Sequence, residues 1–255
     1  INMIMSLVDP PENDGKWFPW KFINSHTRLW DNNNSIIEFI EWFKNEKKIE
    51  KPEDWYNIQI VDFRNNYGTF ILIKFNNIVD FLNNYIEPPV EDGKWIPWKF
   101  KKTSQRYWNN DENHLEFLLW LEKKENIINR KQWYKLFCHN LFTRNYGEGL
   151  IDKYSGNIIN IIYKLEPPED DGEWLLWKFE FNCIRNFWNT KDNRIKFMKW
   201  LEKQLNIKKP EDWYKIKKID YINNNGNGIC YYYLKKGVPY QEIVLDIFPE
   251  YNLDK

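Results

Sequence analysis

Two acidic pairs, Glu53-Asp54 and Glu211-Asp212, are the first residues in this chain whose types suggest acid–base or metal chemistry. They share the motif K-P-E-D-W-Y, with proline just ahead of the acids, which is how a helix begins: proline suits the first position and carboxylates suit the first turn. The matching stretch N-R-K-Q-W-Y has Lys131-Gln132 instead. Adjacent helical residues point apart, so helix-start electrostatics explains the acids better than catalysis does. Cys138-His139 suggests a thiol–imidazole pair, yet its counterparts elsewhere are Ile60-Val61 and Lys218-Ile219, and the same i, i+1 geometry separates the two groups. A buried structural cysteine is expected. His26, His114 and His139 show no metal-ligand spacing and read as surface or capping residues. The G-x-G stretches Tyr146–Leu150 and Asn225–Ile229 lack the lysine of a phosphate loop and read as helix-to-helix turns. No catalytic residue, metal site or cofactor is expected.

The tryptophans have more to offer. Trp17 with Trp20, Trp95 with Trp98, and Trp174 with Trp177 could stack on bases, each pair being followed by a lysine, Lys21, Lys99 or Lys178, for the phosphates. A Trp at a fixed slot of a repeat is more simply core or inter-repeat packing, with the lysine reaching from the seam into water. These six tryptophans are therefore expected to be structural, at the joints between repeats.

The elements that would position these residues come in triplicate. Trp17, Trp95 and Trp174 are 78 and 79 residues apart, and Trp30, Trp42 and Trp55 recur with spacings of 78 and 80. Three tandem repeats follow, at 10–87, 88–166 and 167–249, with a lead-in at 1–9 and a tail at 250–255. Each opens with Pro-Pro and then Asp-Gly, which is turn chemistry. The W-x-P-W-K-F segment is expected to run extended, because Pro19 and Pro97 block a helix, with the Leu176 copy partly helical. A helix follows, capped by Ser35 in the first repeat. Its apolar stripe is Ile36, Phe39, Ile40 and Phe43, then Leu115, Leu118 and Leu121, then Ile195, Met198 and Leu201. A short helix capped by Asp62, Asn140 or Asp220 and stopped by Gly68, Gly147 or Gly226 comes next. Ile78, Phe81, Leu82 and Tyr85 then form one apolar face, as do Ile158, Ile161, Ile162 and Leu165. The fold class is all-α: a solenoid-like array of helical repeats joined by Trp-rich segments. The closing F-P-E-Y-N reads as the opening of a fourth repeat.

Composition bounds the partners. Aromatics are 18% of the 255 residues, so disorder is not expected. Lysine plus arginine equals aspartate plus glutamate at 37 each, and a neutral chain lacks the basic footprint of most nucleic-acid binders. Cys138, Cys183 and Cys230 make neither a disulfide framework nor a zinc motif, which fits a reducing compartment such as cytosol, nucleus or organelle matrix. No apolar run reaches membrane-span length. Alanine is absent and lysine far outnumbers arginine, the imprint of an AT-rich genome. A start at Ile1 is what a missing or cleaved upstream segment would leave, so the lack of a targeting peptide carries no weight.

The run P-E-D-W-Y, a Gly-containing turn and W-x-P-W-K-F together resemble a tandem Trp-rich repeat of uncharacterised proteins from protists and algae, over essentially the whole chain. The stretch Tyr154–Leu165 is more loosely similar to modular helix-turn-helix repeats that accompany homing-type endonucleases, a resemblance that would imply DNA contacts. The leading expectation is a non-enzymatic scaffold or adaptor, an accessory or structural subunit of a larger assembly with protein partners. The alternative is an RNA- or DNA-binding module, as in an organellar ribonucleoprotein, using Lys21, Lys99, Lys101, Lys102, Lys178, Lys215, Lys217 and Lys218.

Overall fold

The protein is described from a computed structural model over residues 8–22, 27–75, 77–101, 103, 106–136, 138–180 and 186–251. Those residues form helices, turns and bends and no strand, so the fold is all-α. The chain divides into two compact units, residues 1–107 and 108–255. The first contains the first repeat and the Trp segment that opens the second.

In the first unit, helix α1 (Asn33–Lys47) is followed by a 3-10 helix (Pro52–Asn57), then α2 (Ile60–Asn65), α3 (Thr69–Lys74) and α4 (Ile78–Tyr85). The cap of α1 is Asn32, whose side chain accepts from the Asn34 N–H at 2.9 Å, and not Ser35, which lies inside the helix. The core is a lattice of rings. Trp30 meets Phe39 edge-on at 5.2 Å, Phe43 stacks on Phe63 at 4.7 Å, and Phe63 meets Phe81 edge-on at 5.5 Å. Such pairs add to the area the rings bury.

The second unit repeats this order twice. Helices α5 (Asp111–Lys124), α6 (Cys138–Thr143), α7 (Glu148–Lys153) and α8 (Ile158–Ile162) come first, then α9 (Lys191–Gln204), α10 (Lys218–Asn223), α11 (Asn227–Leu234) and α12 (Ile243–Ile247). The buried stripe of the long helices differs from the expected one. Leu115 is 38% exposed, while His114, Phe117, Leu118 and Leu121 face inward, as do Arg194, Phe197, Met198 and Leu201. An inward His or Arg is tolerated because it completes a backbone bond: His114 Nε2 donates to the Trp108 carbonyl at 2.7 Å, and Arg194 donates to that of Trp188 at 2.7 Å. In the first unit Lys74 serves the Trp30 carbonyl from elsewhere, at 2.6 Å.

The W-x-P-W-K-F segments are not extended throughout. The residues flanking the turn are, Phe18 and Phe22 in the first copy, but between them Pro19–Lys21, and likewise Pro97–Lys99 and Leu176–Lys178, form a 3-10 helix. A proline blocks a helix from its interior, whereas at the first position its fixed φ and missing N–H cost nothing. Asp62 and Asp220 likewise sit inside their helices at the third position, accepting from the Gln59 and Lys217 N–H groups at 2.8 and 2.7 Å. Asn140 is also within α6.

Candidate interaction site

The K-P-E-D-W-Y segments form six-residue 3-10 helices whose acids do structural work. Asp54 accepts from the Glu50 and Lys51 N–H groups at 3.0 and 3.1 Å, which holds its carboxyl below the usual range, and Asp212 accepts from Lys208 and Lys209. In the second repeat Gln132 takes both bonds at 2.9 Å with no charge at all. An amide that fills the same place shows what the slot requires, which is an acceptor oxygen.

These caps present Trp-Tyr pairs. Trp55 and Trp133 point into the core, and Tyr56 and Tyr134 point onto the next Trp segment. The Tyr56 hydroxyl donates to Asp92 at 2.8 Å and accepts from the Ile96 N–H at 3.1 Å; the Tyr134 hydroxyl donates to Asp171 at 2.9 Å and accepts from Leu175 at 3.1 Å. The other Asp oxygen holds the segment's lysine at 2.6 Å in both places, Lys99 or Lys178, which also lies over the tyrosine ring. Each ring meets a Trp and a Phe edge-on: Trp95 and Phe100 at 5.3 and 4.9 Å, Trp174 and Phe179 at 5.6 and 4.9 Å. Backbone bonds from Lys101 to the Tyr56 carbonyl and from Glu180 to that of Tyr134 close both clasps. Burial, together with the Asp carboxylates, pushes both phenols well above their ordinary range.

The sequence-predicted residues divide accordingly. Trp95 and Trp174 are buried against the clasp tyrosines and donate to the Ile86 and Leu165 carbonyls at 3.1 and 3.0 Å. Trp17, half-buried, donates to the Val8 carbonyl at 3.0 Å. Trp20 and Trp98 are 1% exposed, and Trp20 packs among Trp30, Phe39 and Trp42. Trp177 packs on Phe197 and Trp200, three residues from Trp174 on Tyr134, so one short segment touches the second repeat with one ring and the third with the other. Lys21 is paired with Asp14 at 2.6 Å. Lys101, Lys215, Lys217 and Lys218 are exposed, with Lys215 near Asp212 at 3.1 Å, while Lys102 lies outside the described residues.

The remaining candidates find structural partners. Cys138 is buried with its thiol 3.3 Å from the Leu136 carbonyl, beside an exposed His139. Cys230 is also buried, and burial pushes its thiol up. His114 is buried, contrary to a surface placement; His26 and Cys183 lie outside the described residues. Among the described residues no group of three His, Cys, Asp or Glu side chains could hold a metal ion, and no helix is long and apolar enough to cross a membrane.

Two open clefts lie among the described residues. One of about 730 Å³ in the first unit is mainly apolar, with Ile58, Ile60, Val61, Ile78 and Phe100 in its walls. Another of about 650 Å³ in the second unit lies among Trp177, Asn227, Tyr231 and Lys235. Neither lining contains a histidine or cysteine, and the one carboxylate of the first, Asp80, is bonded to Asn77 at 3.0 Å. The sequence reading missed the tyrosines. Their signal was there, because Tyr follows Trp in all three copies and Asp precedes Lys by seven residues in all three. No family model, curated protein or solved structure matches this chain.

Proposed function

We propose that the chain is a non-enzymatic helical-repeat scaffold or adaptor, an accessory or structural subunit of a larger assembly, in which each repeat is joined to the next through a Trp segment and a tyrosine clasp. The observation that carries this reading is the duplicated clasp. Groups with chemical potential, the Asp-Lys pairs and the phenols, are committed to one another at Tyr56 and again at Tyr134 with distances that agree to 0.1 Å. Function then resides in the surfaces that the array exposes to protein partners.

The clasp also bears on the nucleic-acid reading. A lysine held 2.6 Å from a carboxylate would have to exchange that partner for a phosphate, which removes most of the net gain of a phosphate contact. Binding of labelled single-stranded RNA and duplex DNA, followed by anisotropy across a salt series, tests this. Weak binding with a shallow salt dependence is expected; tight binding that falls steeply with salt would overturn the scaffold reading in favour of a nucleic-acid module.

A further inference from the structure

The cleft of the first unit opens over residues whose counterparts are buried. The last α-helix of every repeat begins with two branched apolar residues, Ile78-Val79 in α4, Ile158-Ile159 in α8 and Ile243-Val244 in α12. The second and third pairs are 5% exposed or less, whereas Ile78 and Val79 are only half-buried and stand in the wall of the cleft. Ile60 and Val61, at the start of α2, line the same cleft and are each 49% exposed. Four branched side chains around one opening leave apolar surface in water, and covering it is favourable. The cleft's volume of about 730 Å³ and its mainly apolar walls are those of a small-molecule site, for which about 300–1,000 Å³ is usual.

The polar part of the lining sets the sign of the ligand. Arg64 and Arg106 stand there against a single carboxylate, Asp80, which accepts from the Asn77 side chain at 3.0 Å. The neutral groups are spent on the protein itself: Asn77 also accepts from the Asp80 N–H at 2.9 Å, and the Thr103 hydroxyl lies 3.1 Å from the Pro97 carbonyl. Arg64 is exposed, and among the described residues its guanidinium makes no hydrogen bond or ion pair. It is also particular to this repeat, since the residue after Phe63, Phe142 or Tyr221 is Arg64, Thr143 or Ile222. The open apolar pair and the uncommitted guanidinium therefore occur together, in the repeat that has the cleft. We propose that this cleft binds a small apolar monocarboxylate, whose alkyl chain covers Ile60, Val61, Ile78 and Val79 and whose carboxylate pairs with Arg64. The planar guanidinium suits that group because it can give a carboxylate two parallel N–H···O bonds. A cationic ligand would meet two arginines, and a neutral one would leave Arg64 unused.

The ligand site goes beyond the scaffold reading, and it is tested on the whole chain. Octanoate, hexanoate and 1-octanol are titrated into the isotope-labelled protein and followed by amide chemical shifts, for the wild type, Arg64→Gln and Val61→Asp. Both substitutions are at exposed positions, and circular dichroism verifies that each variant folds. Octanoate should shift the amides of Ile60, Val61, Ile78 and Val79 and bind about tenfold more tightly than 1-octanol, the usual gain from a charge-assisted hydrogen bond. Hexanoate should bind about tenfold more weakly than octanoate, as the loss of two buried methylenes requires. Arg64→Gln should weaken octanoate about tenfold and leave 1-octanol unchanged, whereas Val61→Asp should weaken both. Octanoate shifts that are absent or confined to other residues, 1-octanol that binds as tightly as octanoate, or an Arg64→Gln protein that binds octanoate like the wild type would each overturn the proposal. Those results remove the ligand site alone; the scaffold reading stands or falls on the salt dependence of nucleic-acid binding.

Discussion

The tyrosine hydroxyl at each joint serves two groups that would otherwise be buried without a partner, the backbone N–H of Ile96 or Leu175 and one oxygen of Asp92 or Asp171. Removing only that oxygen strands both. Tyr134→Phe is therefore expected to cost about 1–3 kcal/mol, the usual penalty for unsatisfied buried polar groups, although the ring still fills its place. The same phenols make stability depend on alkaline pH. Their pKa values are raised on folding, chiefly by burial, so the native state keeps its protons where the unfolded chain has begun to lose them. The contribution is whole below about pH 10 and declines as pH rises above it. Denaturant titrations at pH 9 and pH 11 should show a loss for the wild type that is smaller in a Tyr56→Phe, Tyr134→Phe double variant. An equal loss in both proteins would put the alkaline sensitivity elsewhere. Tyr251, raised to about 12 by burial and by the Glu202 carboxylate that accepts its proton, adds a smaller share at the last helices.

At the scale of elements, the short helices are closed by one device used three times. Tyr67, Tyr146 and Asn225 take left-handed backbone with φ of 66°, 67° and 61°, and the next residue, Gly68, Gly147 or Gly226, bonds back five residues to Phe63, Phe142 or Tyr221. The glycine stands one place beyond the left-handed position, for reasons of space. A Cβ on Gly147 would come within 2.8 Å of the Phe117 ring. The second glycine of each G-x-G is likewise a packing residue, since a Cβ on Gly149 would meet the Trp108 indole nitrogen at 2.7 Å and one on Gly228 that of Trp188 at 2.0 Å. Helix propensity alone favours alanine at both by about 1 kcal/mol. Because the indoles block it, Gly149→Ala and Gly228→Ala should instead lower thermal stability, by about 1–3 kcal/mol as overpacked cores do, with Gly228→Ala the worse. A raised melting temperature in either would contradict the close approach. The turn at Gly147 and Gly226 was legible in the sequence; the place of Gly149 and Gly228 inside helices under an indole was not, because the indole comes from a segment some forty residues earlier. The cap of α1 is Asn32 and not the expected Ser35 for a related reason: the run of five polar residues from Asp31 to Ser35 offers several equivalent caps, and only backbone geometry chooses among them.

For the molecule as a whole, the tryptophan period made the all-α class legible, since helix-period stripes recur between turn residues. Which residue holds each Trp segment against the helices before it was not legible, because the clasp joins side chains 36 and 37 residues apart and requires that both ends be placed. At Tyr134 that contact is expected to decide how the second unit unfolds. Trp174 meets Tyr134 of the second repeat, and Trp177, three residues on, packs on Phe197 in the core of the third. In tandem-repeat proteins the interface contribution keeps neighbours cooperative. Tyr134→Ala empties the joint and should cost about 3–5 kcal/mol, as loss of a large buried ring does. The second and third repeats should then separate in denaturant, with circular dichroism and tryptophan fluorescence reporting different midpoints and the apparent m-value of a single-transition fit falling below that of the wild type. If the variant instead unfolds in one transition with an unchanged m-value, the repeats are held together by contacts other than the clasp, and the tyrosine is an ornament of the joint and not its lock.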